Sequence, residues 1–291
     1  MTPLFSSCLA SSARRAAACG LAAALACAAA PAQAAAPTSP QATLRTAVHY
    51  VVPPFVGGAK VRTPEAVDTQ LAQALADQLH ARLQTTPISI LKFGGGAQPA
   101  TPEGAGSSFT IPAQADLALV SMPDGATPPA STVAIDTKYV SRPMAIMRSD
   151  TAIKSWEQLK GRTVCVSEGG LYAGTLAAQY GAVEKIYKAP ADSLLALRTG
   201  GCDAAVHDDV MLKELLKLPE WKKFSATLAP PANAKSSLAF IVPASQAETI
   251  ATAKDLVKQW RRQDYLNALN KKRVQDIAFE VYLDQVIPDC H

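Results

Sequence analysis

The sequence has little of what marks several large function classes. Only four histidines occur in 291 residues, and neither H-x-x-x-H nor C-x-x-C is present, so the usual spacings of zinc ligands are missing and no metal or other cofactor is expected. Ser121 lacks a G-x-S-x-G context, which argues against a nucleophile-elbow hydrolase. An excess of one charge is also absent: 28 Lys and Arg face 24 Asp and Glu. That balance gives no reason to expect nucleic acid or an anionic membrane surface as partner. After the first 34 residues no apolar run is long enough to span a bilayer.

What is present begins with a leader. Arg14 and Arg15 precede AAACGLAAALACAAA and then APAQA, with small residues at Ala32 and Ala34. A positive n-region, a short apolar run and an A-x-A site read as a cleaved signal peptide over 1–34, and hence a periplasmic or otherwise secreted protein. A lipoprotein reading on Cys27 has poor spacing, and the residues after the paired arginines do not support twin-arginine export. The remaining chain of about 257 residues suffices for a sizeable core in one or two domains. Three of the six cysteines leave with the leader, so Cys165, Cys202 and Cys290 remain. An oxidising compartment allows two of them to pair. Cys165 and Cys202 both border strand-like runs that neighbouring parallel strands could bring together, and Cys290 reads as a leftover thiol.

LRTAVHYVV (44–52) reads as a buried strand stopped by Pro53 and Pro54. Residues 63–83 read as a helix, with Thr63 as N-cap, Pro64 at the first position and a stripe of Val67, Leu71, Leu75, Leu79 and Leu83. A short apolar run spans Pro87 to Phe93, and the Gly/Pro/Ser/Thr-rich stretch 94–112 reads as a long loop. A second buried strand spans 115–122 and a crossing strand 139–148. From 155 to 218 short helices and strands alternate, which implies parallel sheets with helices on their faces. A strand at 237–243 and helices from Gln246 follow, and the apolar stripes of 63–83 and 246–260 read as core.

In such sheets ligands bind beyond the carboxyl ends of the strands. Asp208 and Asp209 end one strand, Ser121 and Met122 another, and Glu168, Gly169 and Gly170 a third, so one small-molecule cleft is expected. Asp208 reads as the partner of a cationic group or as a cap of the following helix, and Asp209 as that cap or as a solvated residue. The Glu168-Gly169-Gly170 turn reads equally as an anion nest or as a plain turn. His49, His207, Asp208 and Asp209 lack a metal spacing.

The order of these pieces resembles solute-binding protein family 3, the periplasmic receptors of the polar-amino-acid type, from about Leu44 to the last helices. LRTAVHYVVPPF is similar to that family's first strand, EAVDTQLAQALADQL to its Gly-Phe-Asp-x-Asp-Leu-Ala helix with Asp68 at the first Asp, and ADLALVSM to its Ser-Gly-Met-Thr strand. SWEQLKGRTVCVSEGG and GGCDAAVHDD resemble two further segments. The resemblance implies an α/β, two-lobed, type II-like periplasmic-binding-protein fold, each lobe a mostly parallel sheet flanked by helices. Lobe one would be 37–138 plus 243–291 and lobe two 145–235, with hinges near 139–144 and 236–242, closing on a solute by bending. It implies a monomer that serves an inner-membrane ABC permease in amino acid transport, with Asp208 holding a ligand ammonium and Cys202 bonded to Cys165.

Departures from the family pattern concentrate at the other end of the site. Pro123 and Gly170 replace two threonines, His49 replaces an Asp, and Val52 replaces an aromatic for which Tyr50 or Phe55 can stand in. PDGATPPASTVAID contains no counterpart of the arginine that clamps a carboxylate. The expected ligand set is therefore His49, Tyr50, Phe55, Ser121, Met122, Glu168, Gly169, Gly170, Tyr172 and Asp208, for a small polar, amine-bearing solute. Two alternatives stay open: an enzyme of the cyclohexadienyl dehydratase kind with Glu168 as acid, and a degenerate receptor that signals or docks without transport.

Overall fold

The computed structural model describes residues 42–52, 62–88, 111–231 and 234–285, all within one compact unit. The expected leader, Phe55, Cys290 and nearly all of the 94–112 loop lie outside them. The strands are β1 (Thr43–Val48), β2 (Arg82–Pro87), β3 (Leu117–Pro123), β4 (Thr132–Ser141), β5 (Pro143–Met147), β6 (Thr163–Ser167), β7 (Val183–Tyr187), β8 (Ala204–Asp208), β9 (Ala226–Leu228) and β10 (Ser236–Pro243). The helices are α1 (Val67–Gln78), α2 (Leu176–Tyr180), α3 (Pro190–Arg198), α4 (Asp209–Leu215), α5 (Ala247–Gln263) and α6 (Tyr265–Asp284). None of the described helices is long and apolar enough to cross a membrane.

Two five-stranded sheets form, in the orders β2-β1-β3-β10-β4 and β7-β6-β8-β5-β9. Each is parallel where strands alternate with helices and antiparallel where the chain enters from the other sheet: β10 runs against β3 and β4, and β5 against β8 and β9. The chain passes from the first sheet to the second with Arg142 alone between β4 and β5, and returns through 229–235.

Local chemistry sets the element ends. The helix expected over 63–83 covers Val67–Gln78. Thr63 does not cap it, because its N–H and hydroxyl both donate to Glu280. The helix stops in a Schellman motif: His80 takes a left-handed conformation (φ 53°), its N–H reaches the Asp77 carbonyl, and the Ala81 N–H reaches that of Ala76. The chain then turns into β2, so Leu83 belongs to a strand.

Core packing divides the last two helices. Ala253, Leu256, Val257 and Trp260 of α5 join Leu71, Leu75, Leu117 and Phe240 against the first sheet. Val274, Ile277, Ala278 and Val281 of α6 instead join Leu194 and Leu197 of α3 and Met211, Leu212 and Leu215 of α4 beside the second sheet. As a proposal for the lobes, these contacts move α6 out of the 243–291 stretch assigned to lobe one. They also set the second crossing ahead of 236–242. In the second sheet β6 and β8 pair in parallel, and the Cys165–Cys202 disulfide joins β6 to the residue before Asp203, Cα to Cα 5.9 Å.

Candidate functional site

Asp208 is the last residue of β8, a central strand of the second sheet, and is 8% exposed. Its Oδ2 accepts the Tyr139 hydroxyl at 2.9 Å and its Oδ1 the Tyr172 hydroxyl at 2.7 Å. Tyr139 comes from β4 of the first sheet and Tyr172 from the turn after β6 of the second, so donors from both sheets converge on one carboxylate. It makes no side-chain cap to α4. Burial, and after it the charge of Glu65, pushes the Asp208 carboxyl above its ordinary value, while Tyr172 and Arg273 pull it back. Burial and then the Asp208 charge push both tyrosines well above 10, so they stay protonated and donate.

Glu65 lies just ahead of α1 and reaches the second sheet. Its Oε1 accepts Arg273 Nη2 at 2.6 Å, its Oε2 accepts Ser167 Oγ at 2.6 Å, and His207 Nδ1 stands 3.5 Å from Oε2. Burial opposes its charge, but Arg273 and then His207 outweigh that and hold the carboxyl well below its usual range. The same segment is tied down twice more: Arg62 pairs with Asp192 of α3 and Asp284 of α6, and Thr63 bonds Glu280 of α6. His207 Nε2 lies 2.7 Å from Ser193 Oγ. Ser193, His207 and Glu65 thus have the connectivity of a catalytic triad. Ser193, however, is wholly buried in α3 and donates to the Pro190 carbonyl at 3.0 Å. No substrate reaches it, and the arrangement orients His207 and Glu65.

Asp68 at the start of α1 accepts the His49 N–H at 3.1 Å and the Thr69 N–H at 2.7 Å, which fixes the turn leaving β1. Burial raises its pKa to about 6 against those hydrogen bonds. Burial also lowers the His49 pKa, so the imidazole it presents is neutral at pH 7. A Cβ on Gly169 would fall 2.6 Å from both the Glu65 carbonyl oxygen and Tyr50 Cδ1, so only glycine permits the approach of the two sides here.

Of the ligand set read from the sequence, His49, Ser121, Gly169, Gly170, Tyr172 and Asp208 line one cavity of about 50 Å³ between the sheets. Tyr50 packs on Gly169 at its edge, and burial followed by the Glu168 charge raises its pKa. Glu168 itself is exposed. Met122 does not face the cavity: strand alternation turns it to the opposite side, into a core with Ala118, Val120 and Ile241. In the Glu168-Gly169-Gly170 turn the Glu168 and Gly170 amides donate to the Tyr187 and Ser167 carbonyls. Asp209 is neither a cap nor solvated. It is 2% exposed and paired with Arg142 and Lys213, and it pins the crossing residue to the second sheet. Phe55 lies outside the described residues. Among those described, no group of three or more His, Cys, Asp and Glu is disposed to hold a metal ion.

The structure adds Glu65, Tyr139, Ser141 and His207 to the cavity wall, with Arg273 behind Glu65. The only sequence signal for Glu65 was its place ahead of an apolar stripe, which reads as an ordinary first-turn acid. Arg273 sits in NKKRVQD, which reads as a solvated face.

No family model and no curated protein matches the chain. Among solved structures it is similar to an amino acid ABC transporter substrate-binding protein from Streptococcus pneumoniae bound to L-arginine, at TM-score 0.50 and 16% identity over 81% of this chain and 95% of that one. A second amino acid ABC transporter substrate-binding protein aligns at TM-score 0.46 and 22% identity over 80% and 97% of the two chains. The arginine-, lysine-, histidine-binding protein of Geobacillus stearothermophilus aligns at 0.46 and 16% over 80% and 94%. The conclusion about fold rests on the first of these together with the sheet topology: the chain has the two-lobed α/β architecture of the type II periplasmic binding proteins.

Proposed function

We propose that the protein is a periplasmic solute-binding receptor that takes a small amine-bearing solute between its lobes and delivers it, as a monomer, to an ABC-type importer. One observation carries this reading. The cavity between the sheets is lined by three carboxylates, Glu65, Asp68 and Asp208, and by no lysine or arginine among the described residues. A buried carboxylate needs a cation or several donors. Among the described residues Asp208 contacts two tyrosine hydroxyls and no cation, so an ammonium is the complement it lacks. The Streptococcus pneumoniae protein that shares the fold holds a cationic amino acid, which supports the same chemistry. Against the enzyme reading, its candidate acid Glu168 is exposed.

Thermal unfolding against amines, amino acids and small organic acids tests the proposal. A solute at one hundred times its Kd adds about 2.7 kcal/mol, or roughly 5–10 °C for a chain of this size. A selective shift that disappears in Asp208→Ala is expected. A shift that survives that substitution, or silence towards every solute, overturns the reading.

A further inference from the structure

Arg273 is an arginine in the wrong place for a surface helix. It lies in the middle of α6, is 3% exposed, and is carried to the cleft by the packing of α6 on α3 and α4. Its Nη2 bonds Glu65 Oε1 at 2.6 Å, while its Nε and Nη1 are buried with no hydrogen-bond partner among the described residues. It does not line the cavity, so a solute feels its charge without touching its donors. Glu65 and Asp208 do line it, close enough for the charge of one to act on the other.

Of the three carboxylates on the cavity wall, Asp68 is met by the His49 and Thr69 N–H groups at the start of α1, and the one guanidinium leaves one of the other two without a cation. Glu65 has its cation, and Asp208 has only hydroxyl donors. In a poorly hydrated site that remainder selects against solutes of any other charge. Size adds a second limit, since a cavity of about 50 Å³ admits only a small solute.

Resting on the receptor reading, we propose that Arg273 is a built-in cation that answers Glu65 and so leaves Asp208 as the carboxylate that takes the solute's charge. It thereby sets the specificity for a small, singly charged amine without a carboxylate, such as a short alkylamine or amino alcohol. Arg273 acts here as a positioning and specificity residue, since it does not itself contact the solute.

The test uses the purified full chain, unfolded and refolded to remove any solute that copurifies. Thermal shifts are measured with propylamine, ethanolamine, 1,3-diaminopropane, L-arginine, glycine and guanidinium at matched ionic strength and low millimolar concentration. Wild type is expected to respond to the two monoamines and not to the dication or the amino acids. Arg273→Ala exposes the second carboxylate and is expected to gain at least tenfold in affinity for 1,3-diaminopropane and to be stabilised by guanidinium. Because that variant leaves Glu65 buried and unpaired, the double substitution Glu65→Gln with Arg273→Met provides a second arm. It removes the pair together, and it is expected to keep the monoamine response and show none to guanidinium. A wild type that prefers the diamine or an amino acid, or an Arg273→Ala variant with unchanged charge preference, overturns the role of Arg273 and leaves the receptor reading standing. A guanidinium response in the double variant also overturns it. A wild type silent to every solute overturns the receptor reading, and this specificity with it.

Discussion

Replacing Asp68 by Asn turns the burial of one carboxylate into a pH-dependent stability difference. Asp68 is 8% exposed, and burial raises its pKa to about 6 from 3.8 despite hydrogen bonds from the backbone N–H groups of Thr69, His49 and Tyr50. Between these two values the folded chain keeps a proton that the unfolded chain has released. The contribution to stability is therefore complete below about pH 4 and is lost as pH rises through 6. A shift of about two units corresponds to about 3 kcal/mol at 1.36 kcal/mol per unit. Asparagine keeps an acceptor for the His49 N–H and carries no charge. Urea unfolding of both proteins from pH 4 to 8 is expected to give equal stabilities at the acid end. At the alkaline end the variant is expected to be more stable by about 2–3 kcal/mol, the lower figure allowing for weaker neutral hydrogen bonds. A flat difference, or a wild type that gains on the variant with rising pH, would refute the reasoning, because the backbone donors would then outweigh burial.

The Cys165–Cys202 bond closes a loop with a sequence separation of 37, worth ~4 kcal/mol of unfolded-state entropy, so replacing both cysteines by Ala is expected to lower the urea-unfolding free energy by about that amount. Gly169→Ala places a methyl group against the Glu65 carbonyl and Tyr50. Small-angle scattering should show a wider envelope and titration a solute affinity reduced roughly tenfold or more, and an unchanged envelope would contradict the close approach. Tyr172→Phe removes one of two donors to a buried carboxylate and is expected to cost about 1.5–3 kcal/mol at pH 7 by urea unfolding. The cost should shrink in acid as Asp208 takes up a proton, since a protonated carboxyl depends less on that donor.

The alternating part of the fold was legible because its signals are local. In YVSRPMAIMR, Pro143 opens β5 immediately after Arg142, and the tip of β8 announces itself by His207 and Asp208 following three small apolar residues. The stop of α1 was not legible, since His80 occupies a left-handed position where glycine is the usual signal. The place of α6 was illegible for a different reason. It buries Arg273, Val274, Ile277 and Val281 yet leaves Phe279, Tyr282 and Leu283 exposed, so apolar residues run round the helix and do not single out a core face. Glu65, Arg273 and Asp209 share that difficulty. A charged residue reads as solvated until the partner that allows its burial is known, and Glu65 with Arg273, and Asp209 with Arg142, are far apart in sequence.

The allotment of α6 also dictates an order of events during synthesis. The second lobe's sheet and its helices α3 and α4 are complete by Leu228, but Ile277 and Val281 belong to the same core and follow only after β10 and α5 of the first lobe have been made. A nascent chain therefore carries that lobe with Leu194, Leu212 and Leu215 uncovered while some fifty further residues are added, counted from Leu228 to Val281. Its folding is deferred rather than vectorial. A chain held extended until release, as export in an unfolded state would hold it, never passes through that half-covered intermediate.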